Sequence, residues 1–196
     1  MAVELRKGQK VNLEKPKAVH EDILINLNWS QPVRHGFFSK RPQPIDLDLG
    51  CLYELSDGSK SCIQALGKKF GSLNQPPYIA LDGDDRTGSV AGGENLRISG
   101  TKMSLIRRVL VYTFIYEGIV NWKEANGVVT IKSPGNQDIV VRMDAYDSSK
   151  IMCAIAMIEN HNGIFTVEKL VEFFNGHRAM DKRFGWGLRW VSGKKD

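Results

Sequence analysis

Carboxylates gather at two places in a chain whose overall balance is basic. The first is Ile45-Asp46-Leu47-Asp48-Leu49. The second is Leu81-Asp82-Gly83-Asp84-Asp85-Arg86-Thr87-Gly88, running on to Gly92-Gly93-Glu94-Asn95. In an extended strand alternate side chains share a face, so Ile45, Leu47 and Leu49 would enter a core while Asp46 and Asp48 project together from the other side. Two carboxylates that close repel unless a cation or hydrogen-bond donors compensate them. The second stretch puts three Asp within four residues and a Glu nine residues after the last of them, among four glycines. Glycines let the backbone fold tightly and turn its carbonyls inward. An oxygen-rich loop of this kind suits a hard cation. Calcium takes about six to eight oxygens, whereas magnesium keeps several waters and uses few protein ligands. Zinc and its neighbours lack their preferred His and Cys ligands here. The loop is not an EF-hand: a register starting at Asp82 puts Arg86 where Asp or Asn belongs, Thr87 at the glycine position and Gly93 at the bidentate Glu. By spacing alone, the stretch reads either as a solvated turn or as a calcium loop.

Other chemistries find less support. Nucleophilic catalysis needs a nucleophile, a base and an orienting group in reach. There is no GxSxG elbow, and the four histidines, at 20, 35, 161 and 177, are scattered and read as surface or loop residues. Gly67-Lys68-Lys69 lacks the earlier Gly and the following Ser or Thr of a phosphate-binding loop. Cys51, Cys62 and Cys153 form no CxxC and read as free, buried thiols. Basic residues cluster near the N-terminus (Lys7, Lys10, Lys15, Lys17), around Phe37 and Phe38 (Arg34, Lys40, Arg41) and at the C-terminus (Lys182, Arg183, Arg189, Lys194, Lys195). Such interleaving can clasp single-stranded nucleic acid, although a solvated face is the simpler reading. A nucleic-acid-binding β-domain and a metal-dependent hydrolase built on the Asp cluster are thus the competing functional readings.

The elements that must position these acids are mostly strands. Ile23 to Trp29 alternates apolar and polar residues. Arg107 to Tyr116, Val128 to Ile131, Ile139 to Met143, Met152 to Ile158 and Phe165 to Phe174 are rich in β-branched and aromatic residues. Turns fall at Asp57-Gly58, Asn126-Gly127, Pro134-Gly135-Asn136 and Asn162-Gly163. Short strands at this spacing predict an all-β sandwich or barrel. Short helices are expected at Asn121 to Asn126 and at His177 to Phe184, the latter stopped by Gly185. Phe184, Trp186, Leu188 and Trp190 alternate with Gly185, Gly187 and Arg189, a pattern that predicts a core strand. Ser30 to Pro44, with three prolines, reads as an exposed loop. With 196 residues, 42% hydrophobic and 25% charged, and a net charge of +5, the chain has an ordinary globular composition. We expect one domain over 1–196. No apolar run reaches the ~18 residues of a membrane span, and the charged start Met-Ala-Val-Glu-Leu-Arg-Lys lacks a signal peptide's apolar block, so a cytoplasmic location is expected.

The ordered set of motifs resembles one family. Leu5-Arg-Lys-Gly-Gln-Lys-Val-Asn-Leu13, Leu27-Asn-Trp29 followed by Ile45-Asp-Leu-Asp48, and the loop Gly83-Asp-Asp-Arg-Thr-Gly88 are similar to the opening, the acidic strand and the signature loop of the TerD, or tellurium-resistance, family. The similarity continues through Tyr112 to Tyr116 and Ala154-Ile-Ala-Met157. The resemblance implies an all-β, TerD-like sandwich of two antiparallel sheets with acidic calcium-binding loops. It implies a non-enzymatic role in bacterial tellurite resistance and general stress response, with other tellurium-resistance or stress proteins as partners. Carried over by position, it assigns Asp84, Asp85 and Glu94 as principal Ca2+ ligands, with Asp46, Asp48 and Thr87 contributing; Asp82, just outside the signature, is a further contributor expected from its place in the acidic stretch. Asp85 stands where the family often has Asn. Gly92 and Gly93 replace two Asp of the family's pattern before Glu94, removing two carboxylates and putting a second calcium site in question.

Overall fold

A computed structural model describes residues 2–13, 21–31, 45–82, 93–117, 122–143 and 147–191. In chain order its strands are β1 (Ala2–Glu4), β2 (Lys10–Leu13), β3 (Ile23–Asn28), β4 (Asp46–Leu55), β5 (Lys60–Ile63), β6 (Gly71–Ser72), β7 (Ile79–Leu81), β8 (Glu94–Ile98), β9 (Ile106–Glu117), β10 (Val128–Lys132), β11 (Asp138–Arg142), β12 (Met152–His161) and β13 (Ile164–Phe174). The helices are α1 (Trp122–Ala125) and α2 (His177–Phe184). Among the described residues no helix is long and apolar enough to cross a membrane.

The strands form two sheets. The first runs β1-β11-β10-β3-β8-β7-β6 and the second β2-β13-β12-β9-β4-β5. The all-β sandwich expected from the sequence is therefore observed. Every named strand pairing is antiparallel except that of β1 with β11. The N-terminal segment divides between the sheets: β1 joins the edge of the first, and β2 joins β13 of the second.

Burial differs between the sheets in a way that matters for the acids. In the first sheet, β3 and β8 alternate strictly, with Ile23, Ile25, Leu27, Leu96 and Ile98 inward. In the second, β4 is buried almost throughout and β12 is buried from Met152 to Met157. One face, carrying Leu47, Leu49, Cys51, Val111 and Ile155, packs against the first sheet. The opposite face carries Leu52, Leu110, Tyr112, Phe114 and Ala154, and is covered by Met180 of α2 and Trp186 of the following segment. The structure is thus layered: sheet, sheet, then a helix and strap over the second sheet.

The strap corrects the expectation of a final core strand. Residues 185–191 form no ladder. Gly185 is left-handed at φ 67° and Gly187 at φ 75°, which breaks the period-two geometry, and the buried carboxylate of Asp181 takes over the role of a partner strand. It accepts the N–H groups of Gly187 at 2.7 Å and Leu188 at 2.9 Å, and the indole N–H of Trp190 at 2.8 Å. The expected loop Ser30 to Pro44 lies outside the described residues from 32 to 44, as do Phe37 and Phe38.

Candidate metal centre

The start of β4 is held by side chains from the segment after β3. Gln31 pairs with the Ile45 peptide in both directions, Nε2 donating to its carbonyl at 2.8 Å and Oε1 accepting its N–H at 2.9 Å. The Trp29 indole donates to the same carbonyl at 3.0 Å. Asp46 and Asp48 follow immediately. Leu47 and Leu49 enter the inter-sheet core as expected. The other face is not open to solvent at these positions. Asp48 is 0% exposed and Asp46 5%. Asp48 lies opposite Phe114 in the ladder. The Tyr112 ring crosses Gly50 so closely that a Cβ there would meet it at 2.7 Å. Burial pushes the Tyr112 phenol well above its usual pKa, with nearby thiols and the Asp48 charge adding to the effect.

Glu94 reaches the same stretch from the other sheet. It opens β8 opposite Leu27, points inward, and is 2% exposed. Its Oε2 accepts the N–H of Leu49, next to Asp48, at 2.5 Å. The β5 ladder along β4 runs only from Cys51 to Glu54, and Glu94 serves a backbone donor beyond that end. Across the ladder from Leu49, the buried Thr113 hydroxyl has no hydrogen-bond partner among the described residues.

These are oxygens of the type a hard cation takes, but they lie on two faces of β4: Asp48 projects away from the inter-sheet core into which Thr113 and Glu94 point. Buried carboxylates are costly unless paired, hydrogen-bonded or bound to metal. The described residues do not complete a site by themselves: among them, no group of three His, Cys, Asp or Glu side chains is placed to hold a metal ion. Asp84, Asp85 and Thr87 lie outside the described residues. Asp82 points elsewhere: half-exposed, it accepts from Arg97 Nε at 2.8 and 3.1 Å. An arginine therefore already compensates this carboxylate.

Gly93 has a structural reason of its own. Its φ is +62°, and a Cβ would stand 2.0 Å from the Leu27 carbonyl oxygen. No Asp fits this backbone, so position 93 is set by the close approach of β3.

A second cluster of functional groups was not legible as such in the sequence. His177, expected on the surface, is packed edge-on to Tyr112 and Phe114, at centroid distances of 5.5 and 5.3 Å, and lies 4.5 Å from Trp190. Gln64 Oε1 accepts from the Tyr112 hydroxyl at 2.7 Å and contacts His177 Nε2 at 2.8 Å. An amide carbonyl oxygen has no hydrogen to donate and only accepts, which assigns the proton to Nε2. Burial lowers the His177 pKa to about 4. Burial also raises the pKa of the Cys51 and Cys62 thiols, which keeps them protonated and poorly nucleophilic. The uninterrupted apolar runs in β9 and β12 were the available signal: strands buried on both faces require a cover, and the aromatic tail supplies it.

No family model matches the sequence. Over 199 aligned positions the chain is 44% identical to the tellurium resistance protein TerA of an Alcaligenes species, an alignment taking in 95% of this chain and 58% of that protein. The chain thus spans little more than half the length of this relative. Two solved structures have similar folds. A protein of unknown function aligns with a TM-score of 0.60 at 15% identity, covering 88% of this chain and 100% of the other. A homologue of the telluride resistance protein TerD from Streptomyces coelicolor A3(2) aligns with a TM-score of 0.53 at 16% identity, covering 83% of this chain and 95% of the other.

Proposed function

We propose, from its 44% identity to TerA over 58% of that protein and from its TerD-like fold, that this chain belongs to the tellurium-resistance family and is a calcium-binding, non-enzymatic module of a bacterial tellurite-resistance and general stress-response system, acting in the cytoplasm. The observation that carries the proposal is the burial of carboxylates on both faces of β4, Asp46 and Asp48 on one side and Glu94, which closes the Asp-rich stretch of the sequence, on the other. Bound calcium would supply positive charge that offsets the repulsion between Asp46 and Asp48. Asp46 and Asp48 present oxygens from one strand. Glu94 ties the first residue of β8 to the backbone of β4, and so fixes the point where the Asp-rich stretch re-enters the sandwich. Asp84, Asp85 and Thr87, just upstream, would complete the oxygen set. Asp82 would take part only by leaving Arg97. Once fixed, the loop offers a surface to other tellurium-resistance or stress proteins.

Thermal unfolding tests this reading. A ligand that binds only the folded state adds about 2.7 kcal/mol at a concentration near 100 Kd, or roughly 5–10 °C in Tm for a chain of this size. Calcium should raise the Tm by that amount over EDTA. Magnesium should do much less, and Asp48→Asn should lose most of the calcium increment. Equal melting in calcium and EDTA would refute the proposal.

A further inference from the structure

A cavity of about 470 Å³ lies between β5, the turn Leu66–Lys68 and the C-terminal strap. Lys60, Lys69 and Arg189 line it together with Cys62, Gln64 and Trp190, and among the described residues no carboxylate does. Glu54, which pairs with Lys60 at 3.5 Å, is already engaged by Arg107 and Arg108 at 2.7 Å each. One negative charge thus faces three positive ones. Among the described residues, neither Lys69 nor Arg189 has a carboxylate within ion-pair distance. Cations on an open surface are ordinarily just solvated. Here they surround a concavity whose strap wall is fixed in advance. Asp181 holds Gly187, Leu188 and Trp190, Arg178 donates to the Trp190 carbonyl at 3.1 Å, and the indole lies against His177. Preorganisation of this kind lowers the cost of binding.

Size and lining indicate the ligand. The volume falls in the usual range of small-molecule sites, roughly 300–1,000 Å³, and a bare oxyanion would fill little of it. The wall combines hydrogen-bond donors and cations with the apolar surface of Leu66, Leu188 and Trp190. We propose that this cavity binds a small organic phosphate of mononucleotide size, Lys69 and Arg189 holding the phosphate and the Leu188–Trp190 wall taking its apolar body.

The test is calorimetric titration of the chain with AMP, adenosine and inorganic phosphate. AMP should bind saturably with a Kd of about 1 mM or tighter. Adenosine and inorganic phosphate should each bind at least about tenfold more weakly. The double variant Lys69→Gln, Arg189→Gln changes only exposed side chains. It should weaken AMP binding at least about tenfold with its melting temperature unchanged, while Lys132→Gln on the other sheet has no effect. The proposal is overturned if AMP does not saturate by about 10 mM, if adenosine or inorganic phosphate binds as well as AMP, or if the double variant binds AMP like the wild type.

Discussion

His177 makes the stability of this fold depend on pH in a way that can be worked out in advance. Its imidazole is enclosed by Tyr112, Phe114 and Trp190 and bonded to Gln64, all uncharged at neutral pH. Burial depresses its pKa from the ordinary 6.5 to about 4. Between these values the unfolded chain takes up a proton that the folded chain refuses. Stability therefore falls as the pH drops from about 6.5 to about 4, and this contribution is flat on either side. At one pKa unit per 1.36 kcal/mol the full effect is about 3 kcal/mol, of which about 2 kcal/mol has appeared by pH 5. The assay is urea unfolding of wild type and His177→Gln at pH 7.5 and pH 5. Glutamine keeps an N–H donor toward Gln64 and does not titrate. Wild type should lose about 2 kcal/mol more than the variant across this interval, since other titrating groups cancel in the difference. Identical losses in the two proteins would show that the ring is not buried as described.

Three further substitutions probe other parts of the account. Gly93→Ala drives a Cβ into the Leu27 carbonyl at a left-handed residue and should destabilise by about 3 kcal/mol or more in chemical denaturation; a neutral result would contradict the close approach of β3. Asp181→Ala removes the acceptor of three hydrogen bonds to the strap and should cost about 2–4 kcal/mol. Limited proteolysis should then cut within 185–191, and resistance equal to wild type would count against the latch. Glu54 is held below the usual carboxylate range: burial opposes this, but Arg108, Lys60 and Arg107 outweigh it. Its stabilisation is present above its unfolded pKa and lost as pH falls through the depressed folded value. Glu54→Gln should therefore destabilise at pH 7, by about 1–3 kcal/mol after allowing for the exposure of Arg107. The deficit should disappear in strong acid, and a deficit that persists there would have another origin.

The strand framework was legible because its period-two pattern is direct. Ile23, Ile25 and Leu27 alternate with polar residues, and the turns at Asp57-Gly58 and Asn162-Gly163 lie where strands end. The helix over His177 to Phe184 could be read from its stop, since Gly185 takes the left-handed conformation that closes it. The strap was misread because Trp186, Leu188 and Trp190 carry a strand's spacing. What overrode it was a tertiary contact, the Asp181 carboxylate, which local periodicity cannot reveal. Asp46 and Asp48 were legible only in part: alternation correctly separated them from Leu47 and Leu49, but nothing local to β4 announced that both are buried. Glu94 was singled out by its place after the Asp-rich stretch, whereas its bond to Leu49 depends on where β5 ends. Gly93, read at first as a missing carboxylate, is explained by a β3 carbonyl more than sixty positions away in sequence.

The proposal that calcium binds this chain rests on the buried acids of β4 and β8 and on the Asp-rich stretch of the sequence between them. Calorimetric titration of calcium into the wild-type chain, and into the Asp84→Asn, Asp85→Asn double variant, measures this most directly. The account predicts saturable heat for the wild type and its loss or a large weakening in the double variant, both proteins remaining folded. No saturable heat for the wild type, or equal binding by the two proteins, would contradict it.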